Sequence, residues 1–193
     1  MTTTTSLPST TIERVARAES LRRPAQWIRQ LGGRPMARVG RPLEQWLGHP
    51  AHPPLTDLPI GFWTSAWILD IVGGRRSAPA AQRLVGLGVL SAAPAAMTGL
   101  GDASALSESR RRVASLHALC NVGATLTYAM SWNARRHDRR GRGVLLGMVG
   151  ACLATVGGMI GGHLAFGEPD TTGGVDLSTD LSEELIDLGR LGL

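Results

Sequence analysis

Residues 143–167 read GVLLGMVGACLATVGGMIGGHLAFG, and their one side chain that titrates near neutral pH is His163. A helix needs about 20 apolar residues to cross the hydrocarbon core of a bilayer. The length of this uncharged run therefore predicts a membrane-spanning helix.

Three similar runs precede it. They are 55–73 (LTDLPIGFWTSAWILDIVG), 84–101 (LVGLGVLSAAPAAMTGLG) and 113–134 (VASLHALCNVGATLTYAMSWNA). Asp57 and Asp70 interrupt the first, the second has no charge, and His117 is the one group in the third that titrates near neutral pH. Four such runs joined by polar connectors would leave a soluble protein too little polar surface. The pattern predicts an all-α fold, a four-helix transmembrane bundle in the cell membrane.

The flanks of this region differ from it in composition. Residues 1–48 form a polar leader and an amphipathic basic arm, residues 49–167 the four-span domain, and residues 168–193 an acidic tail. Within the arm, 12–31 (IERVARAESLRRPAQWIRQL) indicates one or two short helices broken at Pro24. The arm either lies in the interface, with arginines toward lipid phosphates, or packs on the bundle.

The basic residues indicate a membrane surface rather than nucleic acid. All 20 are arginines, in a chain of formal net charge +5, and they cluster where spans end: Arg75 and Arg76, Arg110–Arg112, and Arg135–Arg142. Such flanking clusters are topological signals of membrane helices. No groove-reading motif accompanies them, so we expect the lipid bilayer and not nucleic acid as partner.

No motif of an enzyme is present in the sequence. It contains no nucleophile motif, phosphate loop or dinucleotide-binding fingerprint, so we expect a protein that is not an enzyme. Cys120 and Cys152 belong to no CxxC or CxxCH pattern, which disfavours a zinc knuckle or covalently attached haem.

Topology brings several polar residues to one membrane face, which we call face A. Four spans place both termini on face A, and His49 precedes the first span. His52, Asp57, Asp102, His117 and His163 then lie at similar depth near this face.

Helical spacing extends these residues into stripes, which we expect to point inward because polar groups in membrane bundles avoid lipid. The stripes are His117, Asn121, Thr125 and Tyr128 in the third span; Ser91, Thr98 and Asp102 in the second; and Met148, Cys152, Thr155, Met159 and His163 in the fourth. The fourth span also contains the glycine pairs 157/161 and 158/162. They indicate close helix packing or room for a planar cofactor.

Three explanations of the polar cluster remain open. The first is a redox-associated anchor that holds haem b or a transition metal through His117 and His163, with His52 as a third candidate and Asp57 and Asp102 as orienting groups. The second is a cofactor-free structural or partner-docking protein with an interhelical hydrogen-bond network, and the third is a proton or ion relay. We take the first as the working hypothesis.

Residues 47–70, LGHPAHPPLTDLPIGFWTSAWILD, resemble the signature of a bacterial membrane family, domain of unknown function 2231. The likeness extends over roughly 12–167, through the later spans and the arm. It implies four spans, with His49, His52, Asp57, His117 and His163 at the family's motif positions. Some members resemble fusions to a Rieske-type iron–sulfur domain. Beyond Gly167 this sequence has no Cys or His, so a separate iron–sulfur or other electron-transfer protein would have to be the partner.

Arginine counts give divided information on orientation. More arginines flank the spans on the opposite face, face B, which favours face B as cytoplasmic. The arm adds Arg14, Arg17, Arg22, Arg23 and Arg29 to face A, and exporting it without a signal peptide would be unfavourable. We therefore expect both termini to be cytoplasmic.

A reporter active only in the periplasm, fused after Leu193, should stay inactive. Strong activity of this reporter would show that the orientation is the opposite of the expected one.

Membrane integration itself can be tested by extraction. Because the four runs bury their apolar side chains in lipid, alkaline carbonate should leave the protein in the membrane pellet. Release into the soluble fraction, judged beside a peripheral protein as control, would contradict the membrane assignment.

Overall fold

The computed structural model describes residues 9–32 and 44–167, and the regular secondary structure in these ranges consists of helices joined by short turns. A short arm consists of α1 (Ser9–Arg17), a 3₁₀ turn (Glu19–Leu21) and α2 (Arg22–Leu31). Four long helices follow: α3 (His52–Val72), α4 (Ala78–Ser104), α5 (Glu108–Arg136) and α6 (Arg140–Phe166). The expected acidic tail, 168–193, lies outside the described residues.

The four apolar runs fall in the four long helices, but the helices differ in composition. Among the described residues, α4 and α6 are long and apolar enough by themselves to cross a membrane, and α3 and α5 are not. The expectation of four membrane spans is therefore not confirmed by length and composition alone. The reason is local: α3 contains two aspartates, and the middle of α5 contains the polar residues His117 and Asn121.

Helices α5 and α6 pack closely because large side chains of one lie on glycines of the other. A Cβ atom added to any of four glycines of α6 would come within 2.6–2.9 Å of an α5 side chain. The pairs are Gly143 with Arg135, Gly150 with Tyr128, Gly157 with Asn121, and Gly161 with His117. Three of these glycines are seven residues apart, so they lie on one face of the helix. We call such glycines seats.

Helices α3 and α4 form a second hairpin of the same design. Trp63 lies on Gly88 and His52 lies on Gly99, while the Trp63 indole donates a hydrogen bond to the Val85 carbonyl at 3.3 Å. Trp63, Ala66, Ala81 and Val85 form a buried core together with Tyr128 of α5.

The two hairpins are related by a constant shift along the sequence. Buried Pro59, Trp63 and Ala66 of α3 lie 65 positions before buried Ala124, Tyr128 and Ser131 of α5. In the second helices the shift is 62 positions: buried Ala81, Gly88, Ala95 and Thr98 of α4 match buried Gly143, Gly150, Gly157 and Ile160 of α6. The two hairpins thus share a pattern of buried positions, which we call the structural repeat.

Side chains related by this repeat meet each other in the middle of the bundle. His52 faces His117, Trp63 stacks on Tyr128 with ring centroids 4.0 Å apart, and Asp70 binds Arg135 at 2.6 Å. The members of each pair are 65 positions apart, as expected around a pseudo-twofold axis along the bundle. We call these three contacts the axis pairs.

The arm packs on the bundle at face A. Ile12 joins a buried cluster with Val113 of α5 and Ile160 of α6, and Ile28 of α2 is also buried. The Arg112 guanidinium donates hydrogen bonds to the Ala16 carbonyl and to the Glu108 carboxylate, and it lowers the pKa of that carboxyl. The arm therefore packs part of its apolar surface on the bundle, while Trp27 and Leu31 remain exposed.

The predicted break at Pro24 is wrong. The helices of the arm separate between Ala18 and Leu21, and Pro24 lies in the first turn of α2. Proline is tolerated there because the amide groups of the first turn have no partner within the helix.

A buried ion network closes the bundle at face B. The Arg135 guanidinium donates to both carboxylate oxygens of Asp70, at 3.1 and 2.6 Å, and Arg140 donates to the same carboxylate at 3.1 Å. The side chains of Asp70 and Arg135 are 3% and 5% exposed. These arginines, which the sequence pattern indicated as membrane-flanking charges, instead join α3, α5 and α6.

Replacing Asp70 by asparagine should strongly destabilise the fold, because Arg135 would remain buried without a counter-charge. Breaking such a pair costs roughly 3–5 kcal/mol. Thermal unfolding of the detergent-solubilised protein would measure the loss. Asp57→Asn is the matched control, since Asp57 is exposed on the same helix. Equal melting temperatures for the two variants would show that the network contributes little.

Candidate functional site

His52, at the start of α3, is anchored to the neighbouring helix of its own hairpin. Its Nδ1 lies 2.8 Å from the Ala95 carbonyl oxygen of α4, and its ring covers Gly99. A Cβ at Gly99 would come 2.5 Å from the His52 Cε1 atom. The glycine therefore provides the space in which the imidazole lies.

His117 repeats this arrangement in the second hairpin. Its Nδ1 lies 2.8 Å from the Gly157 carbonyl oxygen of α6, and its ring covers Gly161. Gly157 and Gly161 correspond by the 62-position shift to Ala95 and Gly99. The two histidines are thus equivalent positions of the structural repeat, each joining the two helices of its hairpin.

These contacts determine where each imidazole carries its proton. A carbonyl oxygen can only accept a hydrogen bond, so Nδ1 is the donor in both rings and the neutral ring has its lone pair on Nε2. In His117 that lone pair faces the Asn121 amide nitrogen at 3.0 Å. The Nε2 of His52 has no hydrogen-bond partner among the described residues.

The two rings face each other across the pseudo-twofold axis. Their centroids are 6.3 Å apart, and their planes are nearly perpendicular at 86°. Of the residues that the sequence selected, the structure thus brings together His52, His117 and Asn121.

His163 is not part of this pair. The α6 residue that contacts His117 is Gly161, and a residue two positions further along a helix points to nearly the opposite side. His163 therefore projects away from His117. Among the described residues, no group of three or more His, Cys, Asp or Glu side chains is arranged to hold a metal ion.

The remaining candidates lie at the edge of face A. His49 is exposed, with Nδ1 3.0 Å from the adjacent Pro50 carbonyl. Asp57 and Asp102 are exposed and form no hydrogen bond or ion pair with other described residues. The working hypothesis expected these carboxylates to orient histidines, but neither forms a hydrogen bond with one. Asp102 lies close enough to His52 to interact with it electrostatically.

The expected inward stripe of α6 was also wrong. Met148, Cys152, Thr155 and Met159 are exposed, and the buried face of α6 instead contains Gly143, Gly150, Gly157 and Ile160. Small residues permit the closest approach of two helix backbones, so the glycine face packs on α5 and turns the polarizable stripe outward. On α5 the stripe from His117 to Tyr128 does lie inside.

The sequence interpretation missed the other axis pairs. Asp70 was recognised as an interruption and Arg135 as a flanking charge, but nothing in their separate contexts joined them. The shared spacing of 65 positions is the signal that could have revealed the pairing, since it links His52 to His117, Trp63 to Tyr128 and Asp70 to Arg135.

Comparison with known proteins gave one match. A family model described as "Predicted membrane protein (DUF2231)" matches residues 48–169, which include α3 to α6. No curated protein and no solved structure matches the chain.

The seat of His117 can be tested with a pair of glycine substitutions. Gly161→Ala should lower the melting temperature, because the new Cβ would come 2.7 Å from His117 Cε1 and displace the ring from the Gly157 carbonyl. Gly162→Ala is the matched control, since a Cβ there meets nothing within 4 Å. A loss of stability in both variants, or in neither, would contradict the proposed seat.

Proposed function

The chain belongs to the DUF2231 family of predicted membrane proteins, and from this membership we propose that α3 to α6 all cross the cell membrane. Helices α4 and α6 meet the length and hydropathy requirement alone. The outward sides of α3 and α5 are also suited to contact with lipid. Large apolar side chains are exposed on α5 at Leu119, Val122, Leu126 and Met130, and on α3 at Ile60, Trp67, Ile68 and Ile71.

In the proposed topology both termini lie on face A with the arm. The arm buries Ile12 and Ile28 and exposes Arg14, Arg17, Arg22, Arg23 and Arg29. Anionic headgroups are the natural partners of such a surface, and they are abundant on the cytoplasmic leaflet. We therefore retain the cytoplasmic assignment of face A.

For the function itself we propose a cofactor-free membrane scaffold whose face A end is held by the His52–His117 pair. The observation that carries this proposal is the donation of each Nδ1–H to a backbone carbonyl of the partner helix in its hairpin. Lipid offers no hydrophobic force that would press helices together, so packing and interhelical hydrogen bonds hold them. The scaffold would present the basic arm to a partner at face A.

A redox or metal role is the second candidate, favoured by one feature of the same contacts. Donation from Nδ1 to a carbonyl is the usual outer contact of a histidine that binds a metal through Nε2. Such a site would use His52 and His117, with His163 outside it, and would hold haem b or a transition metal. An iron–sulfur or other electron-transfer protein would then be the partner.

Absorption spectra and thermal unfolding of the purified protein distinguish the two candidates. The scaffold predicts a preparation without a Soret band in which His117→Ala loses about 1–3 kcal/mol through the missing hydrogen bond and the emptied seat. His137→Ala is the control, since His137 is exposed and bonds within its own helix. A Soret or metal-dependent band that weakens in His52→Ala and His117→Ala, but not in His163→Ala, would favour the second candidate.

A further inference from the structure

A cleft opens on the side of the bundle between α3 and α6. Its volume is about 240 Å³, and it is lined by Ile60, Trp63, Thr64, Tyr128, Thr155 and Gly158, with two alanines of α6. The lining residues lie near the middle of both helices, so in the proposed topology the cleft opens at mid-depth of the bilayer. Ile60, Thr64, Thr155 and Gly158 are exposed and form its mouth.

The structural repeat shows that this cleft is a departure from symmetry. The equivalent positions between α4 and α5 are occupied by Ala129 for Thr64, Ala93 for Thr155, Ala96 for Gly158 and Val89 for Ala151. Helices α4 and α5 pack more closely than α3 and α6. At two of these positions the residue on the closed side is larger, Ala96 for Gly158 and Val89 for Ala151, and at the other two the open side has a hydroxyl group in place of an alanine. Ile60 is the reverse case, since its equivalent is the smaller Thr125.

One polar group in the cleft wall lacks a partner. Tyr128 is 6% exposed, stacks on Trp63 and lines the cleft, yet its hydroxyl bonds to none of the described residues. The hydroxyl is not sealed inside protein, because the fully enclosed unpartnered side-chain atoms are the Nε atoms of three arginines. Tyr128, one of the residues that line the cleft, therefore has an available hydrogen-bond donor.

The depth of this donor restricts the occupant. An unpaired hydroxyl in hydrocarbon is unfavourable, and acyl chains at mid-depth have no acceptor to offer it. Lipid ester oxygens lie near the headgroups. A dry apolar cavity of about 150 Å³ is enough for benzene, so the cleft has room for a single substituted ring.

We propose that the α3–α6 cleft binds a flat, largely apolar molecule dissolved in the bilayer, such as a substituted benzoquinone, through a ring carbonyl that accepts a hydrogen bond from Tyr128. Trp63 and Tyr128 form the aromatic wall, and Gly158 leaves the entrance open. This site is separate from the histidine pair and does not depend on the scaffold role proposed above.

The test uses the full chain in phosphatidylcholine nanodiscs and two probes of similar shape, decyl-1,4-benzoquinone and decylbenzene. Binding is followed by saturable changes in tryptophan fluorescence and by native mass spectrometry. Wild-type protein should bind one quinone, about three- to tenfold more tightly than decylbenzene, as expected for one hydrogen bond. Tyr128→Phe should remove this preference.

A second pair of variants tests the location. Gly158→Leu should weaken quinone binding more than tenfold by filling the entrance. Gly162→Leu should bind like wild type, since Gly162 is equally open, lies one turn along the same helix and is outside the cleft lining. Melting temperatures confirm that each variant is folded.

Three results would overturn the proposal. The first is that Gly158→Leu and Gly162→Leu bind the quinone equally well. The second is that the wild-type protein binds the two probes with equal affinity. The third is that the wild-type protein retains a single phospholipid, which is released only in Gly158→Leu. The last result would identify an acyl chain as the occupant.

Discussion

The bundle depends on the seating of large side chains on small residues. Each hairpin closes because one helix projects imidazole, indole, phenol or guanidinium groups onto a face of glycine in the next helix. Close approach then brings backbone carbonyls within hydrogen-bond reach of the histidine rings. A methyl group at a seat would separate the helices and break these bonds together, so packing and polar contacts form one constraint.

The structural repeat explains how polar groups are accommodated in so apolar a molecule. The axis pairs follow one another along the bundle: two imidazoles at face A, stacked rings in the middle and an ion pair at face B. A charge or polar group alone in lipid is costly, and pairing across the axis gives each a partner away from the lipid. The equivalent positions share their location in the bundle but differ in chemistry, most clearly in Asp70 and Arg135.

The two hairpins meet at the His52–His117 pair and differ at the α3–α6 cleft, and these are the two places where we look for a function. The His52–His117 pair preserves the symmetry, with the same carbonyl contact and the same glycine seat in both hairpins, which suits a structural role. The α3–α6 cleft breaks the symmetry by replacing alanines with Thr64, Thr155 and Gly158. In transporters built from repeats, substrate sites lie at the repeat interface near the bilayer midplane.

The sequence by itself determined the helical class, the positions of the four long helices and the family, because apolar run length and local motifs are properties of contiguous residues. It also selected His52 and His117, since topology alone sets their depth, and Asn121, which lies one helical turn from His117. Which face of α6 turns inward was decided by the tertiary structure: a periodic stripe of Met, Cys, Thr and His competed with a glycine face, and close backbone approach favoured glycine. Likewise, the rotation of each helix about its own axis decides that Asp70 pairs with Arg135 and that His163 points away from His117. This rotation is fixed only when the helices pack against one another.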